Sequence, residues 1–472
     1  MVFSSNLFVF LFLPLFLAAY YLTPSRWRNW TILIGSYLFY AWWRPDFLLL
    51  FIAITLWNYG FALAVHRYRE TPRGIYWLVL GVLGDLAALG YFKYANFGVE
   101  SISQLMVSVG LNPFYLEAII LPLGISFYTF QAMAYLVDVH RGDAQPTRSF
   151  INFAAFISFF PQLIAGPILR YRNLEKQFEQ RTHSMELFSL GASRFLLGFI
   201  KKALIADSIA PVAGYLMAAP EPGFVDSAFS VVLSTLQLYF DFSGYSDMAI
   251  GLGMMMGFRF QENFNQPFVC QSVTEFWQRW HITLSQWLRD YLYRPLKKTL
   301  NWSVGAATFT TLTLAGLWHG ADLAFLFWGA AIGGMMVLER RLGWVTSMST
   351  PYSLWRNYRA QIYLWLIWPL FLTGNLSDAG RIMGGLIGLN GIGSLHNLAL
   401  WVSPMTLFFC VVALVWDRAS AFFNKRYYLG LDKENVFQSV SGWRVPLLWA
   451  GFVLAVTRLS AESFSPFLYF QF

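Results

Sequence analysis

Apolar runs close to the length of a membrane-crossing helix recur along the whole chain, and this leaves few folds open to it. A helix crosses the hydrocarbon core of a bilayer in roughly 20 residues, and runs approaching that length lie at Leu7 to Leu22, Phe47 to Val65, Ile75 to Phe92, Ile119 to Val137 and Phe229 to Met256. Of the 472 residues 57% are hydrophobic and only 12% charged, where a soluble domain carries about 25% charged. No soluble core buries that much apolar surface. The chain therefore reads as an all-α polytopic membrane protein of roughly ten to twelve spans, one integral membrane domain over residues 1–472 with no repeat or linker.

Charge placement sets the expected topology. No Lys or Arg precedes Leu7 and Pro14 interrupts the run, so the first segment reads as a retained span rather than a secretory signal. The net charge of +8 is carried at span ends, as the positive-inside rule expects, so nucleic acid is not implied. Arg26 and Arg28 share the cytoplasmic side with His66, Arg67, Arg69 and Arg73 if two segments hinged at Arg44-Pro45-Asp46 cross between them, which puts the N terminus outside. Ile75 to Phe92 then crosses outward and the stretch to Glu117 lies along the outer surface. Phe150 to Leu169 is broken by Pro161 and Gly166-Pro167 and is basic at both ends, the pattern of a re-entrant hairpin. Arg194, Lys201 and Lys202 place the first half of Phe188 to Met217 at the cytoplasmic interface, and Gly253 and Gly257 have the small-xxx-small spacing of close helix packing. Phe325 to Leu338, Gln361 to Leu372, Leu398 to Trp416 and Pro446 to Val456 read as further spans; Gly384 to Gly393 is ambiguous, and Cys270 and Cys410 form no metal-ligand pattern.

Two stretches carry residues suited to chemistry. From Glu275 to Tyr293, Phe276, Trp277, Trp280, Leu284, Trp287, Leu288 and Tyr291 share an arc of about 120° at helical spacing, with Gln278, Arg279, Gln286, Arg289 and Asp290 opposite. This is a continuous helix lying in the membrane interface, with His281 on the flank of its apolar stripe. Its arginines either meet water or, with Arg294, Lys297 and Lys298, attract an anionic cytoplasmic donor. The second stretch is the apolar run Ala306 to Leu317, which ends in Trp318-His319-Gly320. An ionisable residue at that depth is costly. His319 is either hydrogen-bonded between helices or a general base that takes a proton from an attacking hydroxyl. Only Asp322 stands near it as a partner ligand, so no metal site is read. Asp241 and Asp247, with Gln237 one turn earlier, either satisfy backbone donors freed by a kink at Ser243-Gly244 or line a cation pathway. His66, His140, His183 and His396 need no more than surface roles.

The chain resembles the membrane-bound O-acyltransferase family, most closely its branch that acetylates bacterial alginate and cellulose. The resemblance rests on Ser36-Tyr37-Leu38-Phe39-Tyr40-Ala41-Trp42-Trp43, Gly90 to Phe97, Leu238 to Ala249, Thr274 to Tyr293 and Gly316 to Gly320. It is best over 1–343 and weaker across the C-terminal spans of 344–472. It implies a ring of helices with re-entrant and interfacial pieces around a central funnel in the inner membrane. There an acetyl group passes from a cytoplasmic thioester, acetyl-CoA or an acylated carrier, to an extracytoplasmic polysaccharide hydroxyl, with periplasmic partner proteins and no permanently bound cofactor. The family's near-invariant histidine falls on His319 and its second on His281; Trp318 and Trp280 beside them join Arg279 and Arg289 as candidates for holding the donor. The sequence departs from its relatives at Pro295 to Asn301, a short connection where they carry a glycine-rich, basic insertion, so donor contacts from such a loop do not carry over. Two readings from other classes stand beside this one: an ion-coupled transporter or polymer-export channel using Asp241 and Asp247, and a non-catalytic scaffold for a periplasmic acetyltransferase.

Overall fold

Every regular element among the described residues of the computed structural model, which are 2–393, 402–423 and 444–461, is a helix. His396 and the start of the Leu398 span lie outside them. The chain opens with a π turn, Phe8–Phe12, that runs into α1, Leu13–Leu22. Pro14 sits in the first turn of α1, and the wider π turn ahead of it accommodates a residue with no N–H to donate. α2, Arg28–Ala41, and α3, Asp46–Arg67, meet at the expected hinge. Asp46 in the first turn of α3 and His66 and Arg67 in its last complement the helix dipole.

α4, Pro72–Ser108, corrects the reading of a crossing followed by a surface segment, because it is one helix of 37 residues. Its polar residues beyond Phe92 do not stop it, and no proline lies inside it to do so. At 1.5 Å per residue it is about 55 Å long, well beyond a bilayer's hydrocarbon core. With α3 and a later helix, Leu323–Arg341, it makes up the three among the described residues that are long and apolar enough to cross a membrane.

α5, Ile125–Arg141, is followed by the broken segment: α6, Phe150–Ser158, then α7, Phe160–Leu163, an irregular stretch, and α8, Tyr171–Glu179. The break is buried in protein. Its freed amides find hydroxyls there, Phe160 N donating to Ser36 Oγ at 3.2 Å and Ile168 N to Thr283 Oγ1 at 2.9 Å, which is what a buried backbone interruption requires.

α9, Met185–Ile200, a π turn over Lys201–Ala206 and α10, Asp207–Met217, form one continuous rod against which α11, Phe224–Met255, packs. The cations that suggested an interfacial first half are not free. Arg194 and Lys201 are buried and paired with Asp247 at 2.8 and 2.6 Å, and Lys202 with Asp207 at 2.7 Å and Asp241 at 2.8 Å. The positive-inside rule treats such cations as free; here acids one helix away neutralise them. The same pairs replace the backbone role expected of Asp241 and Asp247, since α11 runs through Ser243 and Gly244 without a break. Helix-to-helix packing falls on other glycines than Gly253, which lies against the Phe260 ring, and Gly257. A Cβ on Gly198 would collide with Gly244 O, and one on Gly251 with Gly191 O, whereas Gly257 (φ +84°) follows the end of α11 in a left-handed turn.

The remaining helices are α12, Val273–Arg279, α13, Ile282–Leu288, α14, Arg294–Lys298, α15, Val304–His319, α16, Leu323–Arg341, α17, Leu354–Thr373, α18, Leu376–Leu386, α19, Pro404–Phe423, and α20, Arg444–Ala461. After α18 the glycine-rich stretch caps α11, Gly391 and Ile392 accepting from the amides of Phe224 and Val225.

Candidate active site

The amphipathic segment is not one helix. It breaks between α12 and α13, where Trp280 is extended and His281 is left-handed at φ 44°. A left-handed conformation costs a non-glycine residue roughly 1–2 kcal/mol, and the neighbouring strand of irregular chain offsets it: Asn265 N donates to Arg279 O at 2.9 Å and Ile282 N to Asn263 O at 2.8 Å. Helical spacing carries no information across such a break, so the two halves present different faces from those the sequence pattern implies. Arg279 is buried, paired with Glu275 at 2.8 Å and donating to Asn265 O at 3.1 Å. Trp280 is buried among Phe264, Phe276 and Trp368. Arg289 is exposed beside Asp290, at 3.0 Å.

The break turns His281 into the protein, where it is 1% exposed. Its Nδ1 lies 2.9 Å from Asn263 Oδ1, which also accepts from Thr283 Oγ1 at 2.9 Å, while Asn263 Nδ2 donates to Ser246 Oγ at 3.0 Å. A carboxamide oxygen can only accept, so His281 carries its proton on Nδ1 and presents an unprotonated Nε2. That nitrogen is buried with no hydrogen-bond partner among the described residues.

His319 ends α15 at 4% exposure, its ring edge-on to Trp328 (5.4 Å), Phe371 (5.1 Å) and Trp318 (4.9 Å). Trp318 also meets the His281 ring at 6.4 Å, so one indole stands against both imidazoles. His319, Trp318 and Lys93 share the wall of a cavity of about 220 Å³, completed by Trp43, Ile164 and residues 121–127. The C-terminal end of α15 is fixed by α4: Lys93 Nζ donates to His319 O at 3.0 Å and to Trp318 O, and Tyr94 OH to Leu317 O at 2.6 Å. Asp322, the acid nearest in sequence, caps α16 by accepting from Ala324 N.

Away from the cavity a column of rings continues from Trp318 through Phe130 (5.1 Å) to Trp287 (4.0 Å). Beyond it, at the opposite end of α5, Asp290 gathers cations: Arg170 at 2.6 Å, Arg294 at 2.9 Å and Arg289 at 3.0 Å, with Arg141 donating to its backbone oxygen. Burial pushes the Asp290 carboxyl up, but the hydrogen bonds from Arg289 and Arg170 outweigh it and hold the group below the ordinary carboxylate range. Gln237 is half-buried one turn before Asp241, far along the chain from either histidine.

A family model of the membrane-bound O-acyltransferases matches residues 143–375, the stretch that holds both imidazoles. A protein of Pseudomonas syringae pv. tomato named "Probable alginate O-acetylase AlgI" is 45% identical over 100% of each chain. This chain belongs to the membrane-bound O-acyltransferase family. As a member it is a membrane-embedded O-acyltransferase. More distant relatives include the peptidoglycan O-acetyltransferase of Helicobacter pylori, 32% identical over 84% of this chain and 81% of that one. The teichoic acid D-alanyltransferase of Bacillus subtilis is 28% identical over 59% and 77%.

Two residues at this site had no role in the sequence reading. Asn263 lies in an unpatterned polar loop, and nothing local marks it. Lys93 had a weaker signal, an ionisable residue directly after the apolar run Ile75 to Phe92 and within one of the stretches that carry the family resemblance.

Proposed function

We propose that this chain is the membrane subunit of an exopolysaccharide O-acetylation system. It passes an acetyl group from a cytoplasmic thioester, acetyl-CoA or an acylated carrier, to an extracytoplasmic hydroxyl of alginate or cellulose, directly or through periplasmic partner proteins. The names of its relatives, which act on alginate, peptidoglycan and teichoic acid, support a polymer acceptor. The observation that carries the mechanism is that His319 lines a cavity together with Lys93 and Trp318. His319 takes the proton of the attacking hydroxyl, and His281, fixed in one tautomer by Asn263, orients the acceptor or receives a proton through its bare Nε2. Arg289 and its exposed neighbours draw the anionic donor to the cytoplasmic face. The architecture that goes with this reading is a ring of roughly ten to twelve spans around a funnel in the inner membrane, with the N terminus periplasmic.

Replacing His319 by alanine is expected to abolish polymer acetylation at unchanged protein level and membrane insertion. Normal acetylation in that variant removes the mechanism and leaves the chain a scaffold for another acetyltransferase. For a transporter, Asp241 and Asp247 would have to bind a passing cation, and both are engaged by buried lysine or arginine side chains. Ion-coupled flux in liposomes without an acyl donor would favour the transporter regardless.

A further inference from the structure

Lys93 places an amino group beside the proposed base with no carboxylate among its contacts with the described residues. Its ammonium caps Trp318 O and His319 O and stands 5.6 Å above the Trp318 ring. The last carbonyls of a helix lack intrahelical partners, so capping is one use for it. Capping alone does not account for a charge. Tyr94 performs the same service for the preceding carbonyl with a neutral hydroxyl. A cation gains less at a helix C terminus than it loses on leaving water. An ammonium has three N–H bonds, two of which go to the carbonyls. Lys93 and His319 line the same cavity, so the third is available to whatever occupies it.

We propose that Lys93 is a catalytic residue of the acyl transfer, its remaining N–H donating to the acyl carbonyl oxygen and to the oxyanion that forms there. This rests on His319 being the base. The acceptor oxygen bonds to the acyl carbon as its proton passes to the His319 imidazole, and the carbonyl π pair moves onto oxygen against the Lys93 ammonium. Collapse re-forms the carbonyl and breaks the C–S bond, the thiolate leaving with the proton from the imidazolium. Lys93 transfers no proton in this step and supplies electrostatic stabilisation of the kind that, when one donor is removed, costs about 100- to 1,000-fold in rate.

The test uses the native strain deleted for this chain and complemented at matched membrane levels, reading the initial rate of O-acetyl accumulation on secreted polymer and the melting temperature of each purified variant. Lys93→Met is expected to lose about 100-fold or more with its melting temperature unchanged, and Lys93→Arg, which keeps charge and donors, to recover most of the rate. Wild-type rate in Lys93→Met overturns the proposal, as does equal inactivity of both variants with a lowered melting temperature, which makes the residue a structural cap. Lost acetylation in His319→Ala alongside wild-type rate in Lys93→Met sinks this proposal alone. Acetylation that survives in His319→Ala sinks the base assignment beneath it.

Discussion

Replacing Asn263 by alanine removes one amide that three buried side chains share. Its oxygen accepts from His281 Nδ1 and Thr283 Oγ1, both at 2.9 Å, and its nitrogen donates to Ser246 Oγ at 3.0 Å. All four residues are at most 2% exposed, so water does not replace the lost partner. Stranding a buried donor costs about 1–3 kcal/mol, and for His281 that cost falls on the tautomer with the proton on Nδ1. The preference for a bare Nε2 weakens by the same amount. At 1.36 kcal/mol per tenfold, acetyl transfer should fall about 5- to 150-fold. The assay is a double-mutant cycle of Asn263→Ala and His281→Ala on the initial rate of polymer O-acetylation at matched protein levels. If Asn263 acts through the imidazole, adding Asn263→Ala to His281→Ala changes nothing further. Losses that multiply, or a full rate in Asn263→Ala where His281→Ala is impaired, would refute the coupling.

Other consequences follow from the packing of α9 and α11 and from the charges around them. Gly198→Ala sets a methyl against Gly244 O and Met248 N and should cost about 1–3 kcal/mol, seen as lower extraction yield and melting temperature, whereas Gly214→Ala, with open space around it, should be silent. Asp247→Asn strands Lys201 and weakens the hold on Arg194, and breaking a buried pair costs about 3–5 kcal/mol; unchanged thermal stability with altered ion flux in liposomes would instead point to a cation pathway. Asp290 has a depressed folded-state pKa, so its contribution is complete above the ordinary carboxylate value of about 4 and is lost as pH falls through the lower folded value. Asp290→Asn should therefore show a flatter dependence of melting temperature on pH below about 4, and curves that stay parallel there would contradict the assignment.

Local physics explains what could be read from the sequence and what could not. The hinge at Arg44-Pro45-Asp46 and the break near Pro161 were legible because proline acts on its own backbone, whatever the rest of the chain does. The end of the apolar helix at His319 was legible too, with Gly320 following it. The fate of Arg194, Lys201 and Lys202 was not, because apart from Asp207, which pairs with Lys202, their counter-charges come from α11 and the Glu262 loop, about 40 to 70 residues away in sequence. Neither was the break at Trp280-His281, where the residues that hold the backbone open, Asn263 and Asn265, sit in a different loop.

The sequence by itself determined that the chain is helical and membrane-embedded, which family it resembles, and which histidine ends an apolar helix. These are properties of composition, periodicity and short motifs, and each is local. Only the tertiary structure decided that one indole stands against both imidazoles, that an asparagine fixes the tautomer of one and that a lysine from α4 caps the helix bearing the other. Those facts depend on where separate helices meet, and a contact between distant segments leaves no periodicity in either of them.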